Sequence, residues 1–344
     1  MRQTGENPAL VRPHDLSDCI EEPAPRQTLS SSAPLVTVVM ANFNGEKWIG
    51  KAIQSMKEQR LTDWELIVVD DASTDASVEV VRSAAADDPR VVLLTSLSNA
   101  GPSAARNRAL LQATGRWITI LDSDDLLAEE RLESLVKNAE SDGVAIAADD
   151  LLIVTESGSL TGHSLLDLRT RRIFDAVELV ETPRLGYLKP VIKAELLSGV
   201  RYDERMRWAE DFDLLLRTLV KHDARVLVYP PMGYHYRRRD GSLSTDKSAD
   251  RQSLVGMMDA TARFVASHPI SARLADACAR RRRSLETSLR WVDVTEAVHQ
   301  KRLAAAVRYA IDHPQVLRCA LQFARKRLNL LLRADKRRAG KLWL

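Results

Sequence analysis

Cysteine is scarce in this 344-residue chain: Cys19, Cys278 and Cys319 are the whole complement. None stands in a CxxC or Cys/His spacing, which excludes a disulfide scaffold and a cysteine-ligated zinc site and points to a reducing compartment. No stretch of about 18 uncharged apolar residues occurs, so no segment reads as membrane-spanning. The first residues, with Glu6 and Asp15 and no apolar core, do not read as a secretory signal. GxxxxGK[ST] is missing throughout, and no GxGxxG follows the first apolar run. Both absences argue against a P-loop and a dinucleotide fingerprint.

What is present is an ordinary globular balance, 45% hydrophobic and 28% charged, in a chain long enough for about two domains. The net charge of +3 conceals an asymmetry. From residue 271 onward 18 basic residues face 6 acidic ones, which leaves the first 270 residues at −9. An acidic body with a basic tail suggests a tail that meets anionic lipid or nucleic acid.

Residues 1–33 carry four prolines and a triple serine with few large apolar residues, and read as disordered. From residue 34 strands alternate with helices. Apolar runs at 35–40, 66–69, 91–94 and 117–121 have the β-branched, continuous texture of strands buried on both faces. Helical spacing follows at 48–56, around 78–81 and at 102–113. This order specifies βαβ units and a mostly parallel sheet. Beyond about residue 150 the alternation loosens. One more strand reads at 144–147, a helix at 212–220 and a strand at 226–229, and from 251 to the end only helix.

Open parallel sheets bind ligands beyond the carboxyl ends of their strands. Those ends carry Ala41-Asn42-Phe43-Asn44-Gly45, then Asp70-Asp71-Ala72-Ser73-Thr74-Asp75, then residues 99–107, then Asp122-Ser123-Asp124-Asp125. Hard carboxylate oxygens at a strand end suit Mg²⁺ or Mn²⁺ sharing its shell with substrate phosphates. Helix capping by Asp and Ser is the competing explanation, and the strand-end position favours the metal. Asp70 and Asp71 either precede a helix capped by Ser73 or Asp75 or are acceptors for a nucleobase or ribose. Arg106 and Asn107 are either surface residues or polar groups beside the acidic site. Glu210-Asp211 is either a pair favoured by a helix N-terminus or a general base. The 234–242 segment places His235 and Arg238 where they could neutralise a diphosphate.

Together and in this order, these residues resemble an inverting glycosyltransferase of family 2. The matching stretches are Val38 to Asn44, Val68 to Asp75, Asn99 to Asn107, Ala113-Thr114-Gly115-Arg116-Trp117, Leu121 to Asp125 and Glu210-Asp211. They span about residues 35–245. Gly186-Tyr187-Leu188-Lys189-Pro190 and Gly233-Tyr234-His235-Tyr236 further resemble the succinoglycan-type exopolysaccharide β-glucosyltransferases.

The resemblance implies a GT-A fold: an α/β, Rossmann-like, mostly parallel sheet flanked by helices over 34–250, with a helical C-terminal extension over 251–344. It implies transfer of a sugar, glucose first, from a UDP-sugar to a lipid-linked glycan. Ala41, Phe43, Asn44, Asp70 and Asp71 would hold the uridine. Asp122, Ser123 and Asp124, with Asp125 adjoining, would bind the sugar diphosphate and its Mn²⁺ or Mg²⁺. Arg106, Asn107, Glu210, His235 and Arg238 would contact substrate, and Asp211 would be the base. The family often has Pro-x-Tyr-Asn where this chain has Ala41-Asn42-Phe43-Asn44, so Phe43 can stack but brings no hydroxyl.

In residues 316–333, Leu317, Leu321, Ala324, Leu328 and Leu331 form an apolar helical stripe, with Arg318, Arg325, Lys326 and Arg333 off it. Such a helix either packs on the catalytic domain or docks on the anionic cytoplasmic leaflet, where each Lys or Arg is worth about 1 kcal/mol. Arg280 to Arg283 could join that surface. The expected location is the inner face of the plasma membrane. The acidic body, and a tail without interleaved aromatics, argue against a nucleic-acid partner. A non-catalytic nucleotide- or glycan-binding relative, a transferase acting on another cell-surface glycan, and a sugar nucleotidyltransferase stand as alternatives.

Overall fold

The computed structural model describes residues 33–239, 247–302 and 304, 308, 311 and 312. The N-terminal segment expected to be disordered lies outside these residues except for Ala33, and the 316–333 stripe lies wholly outside them.

The first half builds as the apolar pattern requires. β1 (Val36–Asn42), α1 (Glu46–Lys57), β2 (Trp64–Asp70), α2 (Ser77–Asp87), β3 (Val91–Thr95), α3 (Pro102–Gln112) and β4 (Trp117–Ile120) follow one another. Every position of β2 is buried, as a strand covered by helices on both faces demands. Pro102 opens α3, where its missing N–H costs nothing.

The second half is more broken. β5 (Leu126–Leu127), α4 (Arg131–Ser141), β6 (Ile146–Asp149), β7 (Leu152–Val154), β8 (Leu160–Ser164) and β9 (Arg172–Phe174) lead to α5 (Ala176–Glu181) and β10 (Val191–Lys193). Then come α6 (Glu210–Lys221), β11 (Val226–Tyr229), β12 (Tyr234–Arg237), α7 (Lys247–Ser267) and α8 (Ala272–His299).

The main sheet has eight strands in the order β3-β2-β1-β4-β10-β6-β11-β9. The β3-β2-β1-β4 half is parallel, as the sequence predicts. β10 enters antiparallel between β4 and β6, and β9 closes the edge antiparallel, so the sheet is mixed overall. A second sheet, β5-β12-β7-β8, lies beside it. Strand order reverses direction between β1 and β4, and such a switch point opens a crevice at the strand ends. Asn42 and Asp122 flank it.

The Ala113 to Trp117 motif has a structural reason. The Gly115 amide donates to Thr37 Oγ1 at 2.8 Å, and Thr114 donates twice to Glu65 Oε1, at 2.8 and 2.9 Å. A Cβ at Gly115 would stand 2.4 Å from the Thr37 nitrogen and 2.9 Å from the Val36 carbonyl carbon. Both are backbone atoms of the central strand and cannot swing aside. Gly115→Ala is expected to destabilise the fold by about 1–3 kcal/mol in urea unfolding.

The basic run Arg280 to Arg283 does not present one charged face. Arg280 pairs with Glu181 at 2.6 Å and Arg282 with Glu286 at 3.0 Å, while Arg281 is buried. A helix turns successive side chains about 100° apart, so four consecutive arginines cannot share one surface. Among the described residues, no helix is long and apolar enough to cross a membrane.

Candidate active site

A cleft of about 270 Å³, open to solvent, lies over the switch point. It is lined by Ala41, Arg106, Asp122, Ser123, Asp124, Lys189, Glu210 and Asp211 among others. Residues from β1, α3, the turn after β4, the segment before β10 and the start of α6 therefore meet in one place.

Two buried cations make them converge. Arg106 Nη2 donates to Asp122 Oδ1 at 2.8 Å, and its Nη1 donates to Glu210 Oε1 at 2.8 Å and lies 3.5 Å from Asp211 Oδ1. Lys189 Nζ lies 2.8 Å from Asp122 Oδ2 and 2.6 Å from Asp211 Oδ2. Tyr202 adds its hydroxyl to Asp211 Oδ1 at 3.0 Å. Asp122 and Asp211, 89 positions apart in the chain, thus share one ammonium and one guanidinium.

The electrostatics follow from these contacts. Burial raises the Asp211 carboxyl, but Arg106 and Lys189 outweigh it and hold the group below the usual carboxylate range. Burial likewise raises Asp122, and Lys189 and Arg106 hold it well below. Burial lowers Lys189, and Asp122 and Asp211 more than reverse this, so the ammonium keeps its proton. Glu210 is raised by burial and by Asp211, against the pull of Arg106. Asp211 is an oriented anion at neutral pH. Ala209, just before this pair, sits at φ 61°, ψ 21°, a left-handed conformation that costs an L-residue about 1–2 kcal/mol.

The acids of the turn after β4 separate into different roles. Asp124 lines the cleft and accepts from Arg239 Nε at 2.6 Å. Asp125, expected among the metal ligands, is instead buried away from the cleft. It accepts the Tyr234 hydroxyl at 2.9 Å and the Arg237 amide at 2.7 Å. Its carboxyl is pushed well above the carboxylate range by burial, then by Asp122 and Asp124. Both Asp122 oxygens are held by Arg106 and Lys189, and Asp124 Oδ2 by Arg239, so a divalent ion here would draw most of its shell from phosphate oxygens and water. Among the described residues no three acidic, His or Cys side chains gather as a metal site; of the three acids of this turn, Asp122 and Asp124 line the cleft where an Mn²⁺ or Mg²⁺ would sit, and Asp125 does not.

Several expected substrate contacts are occupied by the fold. Asp70 accepts from Asn42 Nδ2 at 2.8 Å, the Ser73 amide at 2.9 Å and the Ser73 hydroxyl at 2.6 Å. Asp71 accepts from the Ala100 and Gly101 amides, the latter at 2.7 Å. Both acids are buried and tie the loops after β1, β2 and β3 together. Asn107 donates to the Tyr202 carbonyl and accepts from its amide, at 2.9 and 2.8 Å, and so positions Tyr202. Phe43 is half-exposed beside this loop cluster, and the Asn44 amide donates to Ser73 Oγ at 2.8 Å.

β12 and the residues after it bring some basic groups to the cleft and leave others out. His235 pairs with Leu126 and Leu152 in the small sheet and does not line the cleft, and Arg238 is exposed. Arg237 and Arg239 take the place expected for them. Arg237 Nε donates to the Asp124 carbonyl at 2.6 Å, and its guanidinium lies over Trp48. Lys189, Tyr202, Arg237 and Arg239 are site residues that the sequence reading does not single out. For Lys189 the one available signal is its place in the Gly-Tyr-Leu-Lys-Pro motif.

Residues 37–187 match the family described as glycosyl transferase family 2. The succinoglycan biosynthesis protein ExoO of Rhizobium meliloti (strain 1021) is 33% identical over 305 residues, 83% of each chain. ExoU of the same organism is 29% identical over 304 residues, 84% of this chain and 86% of that one. Among solved structures, the mannosyltransferase PcManGT from Pyrobaculum calidifontis, in complex with GDP-Man and Mn²⁺, superposes with a TM-score of 0.59 at 20% identity, covering 86% and 81% of the two chains. S. aureus TarS 1-349 in complex with UDP-GlcNAc gives 0.56 at 19%, covering 76% and 72%. The architecture is the GT-A fold expected of the resemblance, and the chain belongs to glycosyl transferase family 2.

Proposed function

We propose that the protein is an inverting, metal-dependent transferase. It moves a hexose, glucose first, from a UDP-sugar to a hydroxyl of a lipid-linked oligosaccharide in exopolysaccharide assembly. The observation that supports this reading is the Lys189 bridge between Asp122 and Asp211, which holds two carboxylates from distant parts of the chain in one cleft. Similarity to the succinoglycan biosynthesis proteins ExoO and ExoU supports the exopolysaccharide setting.

Asp211 takes the proton of the acceptor hydroxyl. Lys189, Arg106 and Tyr202 fix its orientation and keep it anionic. They also weaken it as a base, so proton transfer belongs to the stage when the oxygen is already bonding to carbon and has become more acidic. The oxygen attacks the anomeric carbon from the face opposite UDP, and one displacement inverts α to β. A divalent ion held by Asp122 and Asp124 would supply Lewis-acid neutralisation of the departing diphosphate. Arg237 and Arg239 bring further positive charge to that end of the cleft. Ala41 and Phe43 face the uracil. The basic C-terminal residues hold the enzyme on the anionic cytoplasmic face of the membrane, beside its lipid-linked acceptor.

The donor assignment is tested by thermal shift with UDP-glucose, UDP-galactose, UDP-GlcNAc and GDP-mannose, with and without Mn²⁺. Saturating UDP-glucose is expected to give the largest rise, and only with Mn²⁺; ligand at 100 times its Kd adds about 2.7 kcal/mol. In Asp124→Ala the Mn²⁺-dependent part should vanish. A larger rise with GDP-mannose, or an equal rise without metal, contradicts the proposal.

A further inference from the structure

The helices after residue 247 close one wall of the cleft. α8 sends Arg281 inward between two neighbours, Arg280 and Arg282, that each pair with a glutamate. Arg281 is 5% exposed and lines the cleft. Its guanidinium lies 4.1 Å from the Phe212 ring centroid, and Nη1 donates to the Val180 carbonyl at 3.1 Å. Nε is buried with no partner, and among the described residues no carboxylate pairs with this side chain. Burial pushes the guanidinium down to about 10. A buried charge without a counter-ion is costly, and the cost is relieved when an anion arrives.

The position says which substrate brings that anion. Phe212 directly follows Asp211, whereas the Asp124 end is already served by Arg237 and Arg239. Arg281 therefore stands on the side of the base, where the acceptor enters. Around it the cleft is walled by Tyr187, Trp208, Ser253 and Met257. Trp208 is braced by α7, where a Cβ on Gly256 would stand 3.1 Å from the Trp208 Cβ, and its indole N–H is buried without an acceptor. Aromatic faces with N–H donors suit a sugar ring, which is apolar on its faces and polar at its edge.

We propose that Arg281 binds an anionic oxygen group of the acceptor, a phosphate or a carboxylate, while Trp208 and Tyr187 hold the adjoining sugar. The C-terminal helices then belong to the acceptor subsite. This rests on the glycosyl-transfer reading of the cleft. The full chain, loaded with UDP and Mn²⁺, is titrated with octyl β-glucoside, octyl β-glucuronide and the octyl phosphodiester of glucose 1-phosphate. One anionic probe is expected to bind at least about tenfold tighter than the neutral one, as a charge-assisted contact requires. The carboxylate or the phosphate arm that gains identifies the source. Arg281→Gln should abolish the gap without changing UDP affinity, and Arg281→Lys should keep part of it. Equal binding of all three probes by the wild type overturns the inference, and so does an Arg281→Gln protein that keeps the gap. The wild-type comparison decides even if the glutamine variant does not fold. Failure of UDP itself to bind would instead overturn the glycosyl-transfer reading.

Discussion

Replacing Asp211 by asparagine is expected to lower kcat for sugar transfer about 10²- to 10⁴-fold, the range a positioned general base supplies. The amide preserves the shape of the carboxylate and one acceptor oxygen for Tyr202 or Lys189, so the local geometry survives. What it loses is the capacity to take a proton. Lys189 keeps Asp122 as a counter-charge at 2.8 Å, so the substitution does not strand a buried ammonium. UDP release at saturating donor and acceptor measures the effect. A kcat within about threefold of the wild type would remove Asp211 from the chemistry.

The second large effect is on stability and comes from outside the cleft. Arg131 and Asp149 form an ion pair at 2.8 Å with both side chains 0% exposed. Arg131 also donates to the Lys189 carbonyl at 2.7 Å and lies over the Tyr234 ring. Asp149 accepts from the Met232 and Tyr234 amides at 3.1 and 3.2 Å. Breaking a buried pair from one side leaves the other charge uncompensated. Arg131→Met is therefore expected to cost about 3–5 kcal/mol in urea unfolding. Asp149→Asn should cost less, because its remaining carbonyl oxygen still accepts from the backbone. A loss under about 1 kcal/mol for Arg131→Met would mean that the pair is not closed to water. The same arginine steadies the carbonyl of Lys189, so the folded fraction should also transfer sugar more slowly.

The sequence made part of this arrangement legible. β1, β2 and β4 are apolar runs buried almost throughout, and burial of that kind leaves a continuous signature, which β3 keeps although it stands at the sheet edge and is only partly buried. β7 to β10 are three to five residues long, half-exposed or paired antiparallel, and their pattern is too short to separate strand from loop. Asp122, Asp124 and Asp211 stand out because carboxylates at strand and helix ends are conspicuous in an otherwise apolar context. Asp70, Asp71 and Asn107 are equally conspicuous, and in the structure their side chains bond to turns and loops. An Asp or Asn side chain satisfies backbone amides as readily as it does a ligand. Which of the two it does depends on partners 28 to 97 positions away. Arg237 and Arg239, and not His235 or Arg238, reach the acids, and nothing local marks which of these basic groups will do so: Arg237 meets the Asp124 carbonyl and Arg239 its carboxylate, 113 and 115 positions away. Arg281 reads in the sequence as one of four surface arginines, since nothing local marks the one that the helix turns inward.

The proposed function divides labour within one cleft: Asp122 and Asp124 would grip the donor diphosphate, and Asp211 would face the acceptor. Calorimetric titration of UDP, in the presence of Mn²⁺, into the wild type, Asp124→Ala and Asp211→Asn tests it most directly. The expected result is at least about tenfold weaker binding for Asp124→Ala and wild-type affinity for Asp211→Asn. Loss of UDP affinity in Asp211→Asn as large as in Asp124→Ala, or full affinity in Asp124→Ala, would contradict it.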